Sequence, residues 1–163
     1  RGMAVKQMIK EKVEFQPRRR QDVDVVILAA PPEQARQLRP LFDFYFAQKL
    51  PIYANSSIYS GVPNPKKDRD MNGIIFCDMP WLLSKNGRAA KVQQQSNGAH
   101  NMNLRLYAMG MDAFKLTTQI KRLEAYPQIG VQGATGTLYL NSRNQIERQL
   151  TWAKMQNGVP QRL

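Results

Sequence analysis

The sequence predicts an α/β fold: a parallel-sheet, Rossmann-like lobe closed by a β-hairpin. Three observations carry that expectation. Val23–Ala30 and Gly73–Asp78 are short, nearly continuous apolar runs, the pattern of strands buried on both faces as in a parallel sheet. A helix-patterned stretch and a further short strand, Leu50–Ala54, follow the first run, so strand, helix and strand succeed one another as a βαβ unit. The last third is punctuated by Gly130, Gly133 and Gly136 and alternates strand with turn signals.

Taken in order, Val5, Met8, Ile9 and Val13 are spaced for one face of a helix between Met3 and Phe15. Pro17 stops it, and Arg18–Arg20 reads as a loop, giving a basic helix and linker over residues 1–21. Residues 22–83 form the expected βαβ-β lobe. After the first strand, Pro31, Pro32 and Glu33 suit the first turn of a helix. Ala35, Leu38, Phe42, Tyr45 and Phe46 line its apolar face, and Pro40 inside it should produce a kink. Asn55–Met71 is polar and turn-rich and reads as a long surface loop. Residues 84–163 hold the remainder. Ser84–His100 is polar and partly helical. Leu106, Met109, Ala113, Leu116, Ile120 and Leu123 step by three and four, which predicts a long helix from near Asn101 to Ala125. Gly110 within it should admit a close neighbour. Thr137–Leu140 and Ile146–Met155 read as the two strands of the closing hairpin, joined by a turn at Asn141–Asn144, and Asn157–Gly158 is a final turn.

The chain has 163 residues, the size of one ordinary domain, and a net charge of +12 from 24 Lys and Arg against 12 Asp and Glu. That balance points toward an acidic partner such as nucleic acid, anionic lipid or an acidic protein patch, with a solvated basic surface as the plainer reading of charge that is spread rather than concentrated. The charge is spread along the chain, and the densest run, Arg18–Arg20, has only Phe15 as a neighbouring aromatic. Stacking platforms for single-stranded nucleic acid are therefore missing, and no nucleic-acid partner is expected. No run of about 18 apolar residues is available to span a membrane. The first residue is Arg1, which suggests a fragment whose targeting signals lie elsewhere.

A search for chemistry returns no catalytic constellation. The single histidine, His100, sits in a loop, and the single cysteine, Cys77, sits in an apolar strand as a small hydrophobe. One of each cannot build a zinc site or an internal disulfide, so neither metal nor cofactor is expected. Asp68 and Asp70 are surrounded by Lys66, Lys67 and Arg69 and read as a solvated charged turn. Asp78 ends a buried strand, where open α/β sheets place ligand contacts; a cap or turn acceptor is the alternative. Gly133–Gly136 lacks the lysine of a phosphate loop and precedes a strand rather than a helix.

The order of elements resembles the C-terminal half of a type I periplasmic-binding-protein clamshell, in which two α/β lobes face each other across a cleft. A more specific resemblance, covering roughly residues 22 to 160, rests on Leu41–Tyr45, Pro51–Ser57, Asn72–Leu82, Leu104–Ala113 and Glu147–Trp152. These blocks resemble the LpoA (LppC) family of outer-membrane lipoproteins. The resemblance implies a non-catalytic regulator on the periplasmic side of the outer membrane, held there by a lipid anchor absent from this chain. It also implies a partner, a class A penicillin-binding protein whose peptide cross-linking the family stimulates. In that role Tyr59, Lys66, Lys67, Arg69 and Trp81 are candidate contacts with the enzyme, since Tyr, Trp and Arg dominate interface hot spots. Tyr59 as an ordinary loop aromatic and Trp81 as a packing residue are the alternatives. Ser56, Ser57 and Asp78 are candidates to face a ligand cleft, which leaves open a second role as a clamshell that binds an amino acid, sugar or muropeptide.

Overall fold

The computed structural model describes residues 22–45, 47–84, 89, 91–92 and 104–163. The helix expected over Met3–Phe15 and the loop holding His100 lie outside them. Strand β1 (Val26–Leu28) leads into helix α1 (Pro32–Phe44), and β2 (Ile52–Ala54) follows. A crossover containing helix α2 (Pro65–Asp68) reaches β3 (Ile75–Asp78). Helix α3 (Leu104–Ala125) precedes β4 (Val131–Gln132), β5 (Thr137–Leu140), β6 (Ile146–Gln149), β7 (Thr151–Gln156) and β8 (Val159–Arg162).

Two sheets result. One has the order β1-β2-β3-β7-β8, parallel through its first three strands and antiparallel thereafter; the other is the antiparallel β4-β5-β6. The α/β lobe with a parallel sheet is as the sequence predicts. The sheet draws β7 and β8 from the end of the chain, so it crosses the division expected at residue 83. The predicted strand Ile146–Met155 breaks at Leu150, and its halves β6 and β7 join different sheets. Consequently Ile146 and Trp152 do not share a face. Pro160 fits β8 because β8 is an edge strand, where a missing N–H costs no ladder bond.

Helix α1 starts where the prolines predict. Pro31 is extended, and its carbonyl accepts from the N–H groups of Gln34 and Ala35 at 3.1 and 3.0 Å. The helix runs through Pro40 and ends at Phe44, so Tyr45 leaves the predicted apolar face and is exposed. Ala35 is fully buried, and Leu38 and Phe42 follow it into the core. The turn Asn157–Gly158 has φ of 53° and 71°, the doubly left-handed geometry of a tight hairpin. A Cβ on Gly158 would lie 2.4 Å from the Pro65 carbonyl oxygen, so this position accepts only glycine.

Asn55–Met71 is not the surface loop that its polarity suggests. Asn55 and Asn64 each cap a short helical turn through the side-chain oxygen, accepting from Ser57 N and Lys67 N at 3.2 Å. Ile58, Tyr59 and Met71 point inward and are at most 1% exposed. The polar residues between them supply caps and solvent contacts, which is why composition alone misreads the segment.

The expectation of strands buried on both faces also needs correction. Leu28, Ile52, Ala54, Phe76, Ala153 and Met155 fill one face together with α1 and the crossover. On the other face Ile27 is 82% exposed, Tyr53 38% and Trp152 50%, with Tyr53 and Trp152 packed edge to face. Cys77, expected to be buried, is only half-buried on that face, opposite Trp152. Helix α3 shows a related reversal. Leu104, Ala108, Asp112 and Leu123 are its buried positions, whereas Leu106 and Met109 of the predicted stripe are 61% and 43% exposed. The helix carries two apolar faces, and hydrophobic spacing does not say which is covered.

Candidate functional site

β3 delivers Asp78 to the end of the sheet, where its side chain is 1% exposed. Arg105, one residue into α3, reaches it at 2.5 Å and also donates to the carbonyl oxygens of Ser56 and Tyr59, both at 2.9 Å. Met79 N–H donates to the same carboxylate at 2.8 Å. One guanidinium thus pins α3 to the crossover and to β3. Burial pushes the Asp78 carboxyl above its ordinary value, and the charge and hydrogen bonds of Arg105 act against that rise. A second buried pair lies nearby. Asp68, expected in a solvated turn, is 1% exposed and accepts from Arg36 at 2.7 and 3.0 Å.

Tyr59 is among the largest fully buried side chains, so it cannot be an exposed interface anchor. Its ring packs on Phe76, and its hydroxyl has no hydrogen-bond partner among the described residues. Burial, followed by the charges of Asp68 and Asp78, pushes that hydroxyl far above the ordinary tyrosine range.

Of the candidate cleft residues, Ser56 and Asp78 are brought together through Arg105. Ser57 points its hydroxyl at the Ala30 carbonyl oxygen at 3.0 Å and at Asn55. These groups are engaged in joining chain segments to one another. Lys66, Lys67 and Arg69 are exposed. Trp81 lies apart from them. Pro65 contacts the Asn157–Gly158 turn, beyond the start of β3, whereas Trp81 follows the strand's opposite end.

A cleft of about 680 Å³ opens beside Trp81. Trp81 stacks on Tyr107 with centroids 5.6 Å apart and ring planes 23° from parallel. Lys91, Lys115 and Arg162 line the same space, and among the described residues no Asp or Glu does. Lys115 donates to the Gln132 carbonyl oxygen and Arg162 to that of Pro80. Sequence reading missed Tyr107 and Lys115, although Tyr107, Met111 and Lys115 recur every fourth residue and so share a helix face. Arg162 carried no local signal, because β8 brings it from the far end of the chain.

The cleft's far wall is the turn after β4. Asp112 of α3 accepts from Ala134 N, Thr135 N and the Thr135 hydroxyl at 2.6, 2.8 and 2.6 Å. A Cβ on Gly133 would sit 2.5 Å from that carboxylate, which requires glycine there. The backbone N–H groups that a phosphate loop would offer to an anion are thus already given to Asp112. Among the described residues no group of three or more His, Cys, Asp or Glu side chains could hold a metal ion. No helix among them is long and apolar enough to cross a membrane.

A parallel three-strand core, extended by antiparallel strands and capped at its strand ends by α3, is the architecture of a periplasmic-binding-protein-like lobe. It matches a protein from Chromobacterium violaceum proposed to be a branched-chain amino acid ABC transporter, with 30% identity and a TM-score of 0.57 over 82% of this chain and 42% of that one. The chain belongs to the LppC lipoprotein family, whose model matches residues 2–158. It is 30% identical, over 89% of its length, to the penicillin-binding protein activator LpoA of Vibrio vulnificus, of which it spans 24%. The structure is similar to the LpoA C-domain from Haemophilus influenzae, a regulator of PBP1A, with a TM-score of 0.72 and 25% identity over 99% of this chain and 49% of that one. The chain therefore spans about a quarter of the curated relative and about half of that C-domain. An envelope lipoprotein family with this fold agrees with the resemblance seen in the sequence.

Proposed function

We propose that this chain forms part of a non-catalytic activator of a class A penicillin-binding protein, acting on the periplasmic side of the outer membrane. The observation that carries this reading is the family match across nearly the whole chain, to proteins that are themselves named activators. The site chemistry supports it. Asp68 and Asp78 are held in ion pairs with Arg36 and Arg105. Activation needs a surface that binds the enzyme's active state better than its inactive state. Lys66, Lys67 and Arg69 offer an exposed basic rim for docking, and Trp81 a half-buried aromatic at the other end of β3. Surplus positive charge would speed encounter with an acidic surface and make it sensitive to salt.

The test is a pull-down of this chain on a purified class A penicillin-binding protein, followed by a peptide cross-linking assay. Binding with stimulated cross-linking is expected. Reversing Lys66, Lys67 and Arg69 to Glu should slow association and flatten its salt dependence. A folded chain that neither binds nor stimulates would overturn the proposal.

A second reading, a clamshell that binds a small molecule, is favoured by the cleft beside Trp81 and by the likeness to the transporter structure.

A further inference from the structure

We propose that the cleft walled by Trp81, Tyr107, Lys115 and Arg162 binds a carboxylate-bearing sugar. It is distinct from Ser56, Ser57 and Asp78, whose polar groups are engaged in holding the chain together, and the inference does not depend on docking to an enzyme.

Three features define the ligand. The first is charge. Among the described residues, Lys91, Lys115 and Arg162 line the cleft without an acidic residue, and none of them is in an ion pair. Each of Lys115 and Arg162 is steadied by one backbone carbonyl. An ammonium has three donors and a guanidinium five, so both retain N–H groups to give to an anion. The second is the aromatic platform. Trp81 and Tyr107 stack on each other, so each has one face occupied by the other. A planar base sandwiched between two rings finds no slot here. A saturated pyranose, laying its C–H face on one ring, needs only one surface. The third is rigidity. Trp81 N–H donates to the Ala134 carbonyl oxygen at 3.2 Å, and Asp112 fixes the turn that carries Ala134. The walls are set before any ligand arrives, which lowers the ordering cost of binding. At about 680 Å³ the cleft lies within the usual range for small-ligand sites. An acidic peptide would meet the cations but leave the rings uncovered, and a neutral sugar would cover the rings but leave the cations unmatched.

The test titrates the 163-residue chain with N-acetylmuramic acid, with N-acetylglucosamine as its neutral counterpart, and with lactate as the anionic arm alone. Ligand-observed NMR gives the affinities. N-acetylmuramic acid should bind at least about tenfold more tightly than either comparison compound, the signature of two contacts acting together. The double variant Lys115→Gln/Arg162→Gln should bring its affinity down to that of N-acetylglucosamine and leave the latter unchanged. Trp81→Ala should weaken both sugars. These variants should keep the parent's melting temperature to within a few degrees, and Trp81→Phe replaces Trp81→Ala if that one does not. Equal affinity for the two sugars, equal affinity for lactate and N-acetylmuramic acid, indifference to the charge variants, or no binding at all would each overturn the proposal.

Discussion

Leu28, Ile52, Ala54, Phe76, Ala153 and Met155 fill one face of the five-stranded sheet and are each at most 8% exposed, whereas Ile27, Tyr53 and Trp152 on the same strands are 82%, 38% and 50% exposed. Composition does not separate the two faces, since both carry branched, aromatic and apolar side chains. The difference is what lies on them: α1 and the Ser56–Met71 crossover cover the first face, and among the described residues no helix covers the second. Burial follows from the partner layer rather than from the apolar run itself. The same lesson holds for α3, where Ala108 and Asp112 are covered and Leu106 and Phe114 are not.

A matched pair of substitutions tests the contrast most directly. Ile52 and Ile27 have the same side chain on neighbouring strands, 3% and 82% exposed. Ile52→Ala should cost about 2–5 kcal/mol, for lost burial and for the cavity left behind. Ile27→Ala should change stability by less than about 0.5 kcal/mol. Urea denaturation reads both, and a similar loss at the two positions would mean that the second face is covered.

The Asp78–Arg105 pair carries the next effect. Arg105→Gln removes the partner of a buried carboxylate and should cost about 3 kcal/mol, the lower end for such a loss because Arg105 is partly exposed. The pH dependence has a definite sign. Burial raises the folded carboxyl above its ordinary 3.8, so the folded chain takes up that proton before the unfolded one. The Asp78 contribution is therefore complete below 3.8 and is lost as pH rises through the raised folded value. Measured against Asp78→Asn, which does not titrate, the parent chain should become relatively less stable as the pH rises from below 3.8. The opposite slope would mean that attraction to Arg105 outweighs desolvation.

The elements were more legible than their surroundings. Periodicity and turn chemistry located the βαβ unit, α3 and the Asn157–Gly158 turn, because those signals are local. Tyr59 was misplaced for the converse reason. It lies in a polar stretch, and only the packing of Phe76 against its ring makes it core. Asp78 was noticed from its position at a strand end, but its partner Arg105 lies 27 residues away and could not be paired with it by spacing. The cleft was the least legible feature, since Trp81, Lys115 and Arg162 arrive from three separate elements. Tyr59 also offers a smaller prediction. Tyr59→Phe removes a buried hydroxyl that lacks a partner among the described residues and should stabilise the chain by about 1 kcal/mol. A loss of stability on thermal unfolding would reveal that the hydroxyl is satisfied.

Gly110 gives the smallest effect and sharpens the comparison on α3. The sequence suggested that a glycine inside this helix admits a close neighbour, yet a Cβ built there meets no atom of the described residues within 4 Å. Leu106 and Phe114, one turn to either side, are 61% and 79% exposed, so the glycine sits in an uncovered apolar strip. With nothing against it, glycine supplies only conformational freedom, and Gly110→Ala should stabilise the chain by about 1 kcal/mol. The useful measurement is that gain set beside binding to a class A penicillin-binding protein. A more stable chain that binds as before would leave the strip without a role in docking. A more stable chain that binds less well would place the contact at Gly110, because the added methyl group could act only against a partner that approaches the bare backbone.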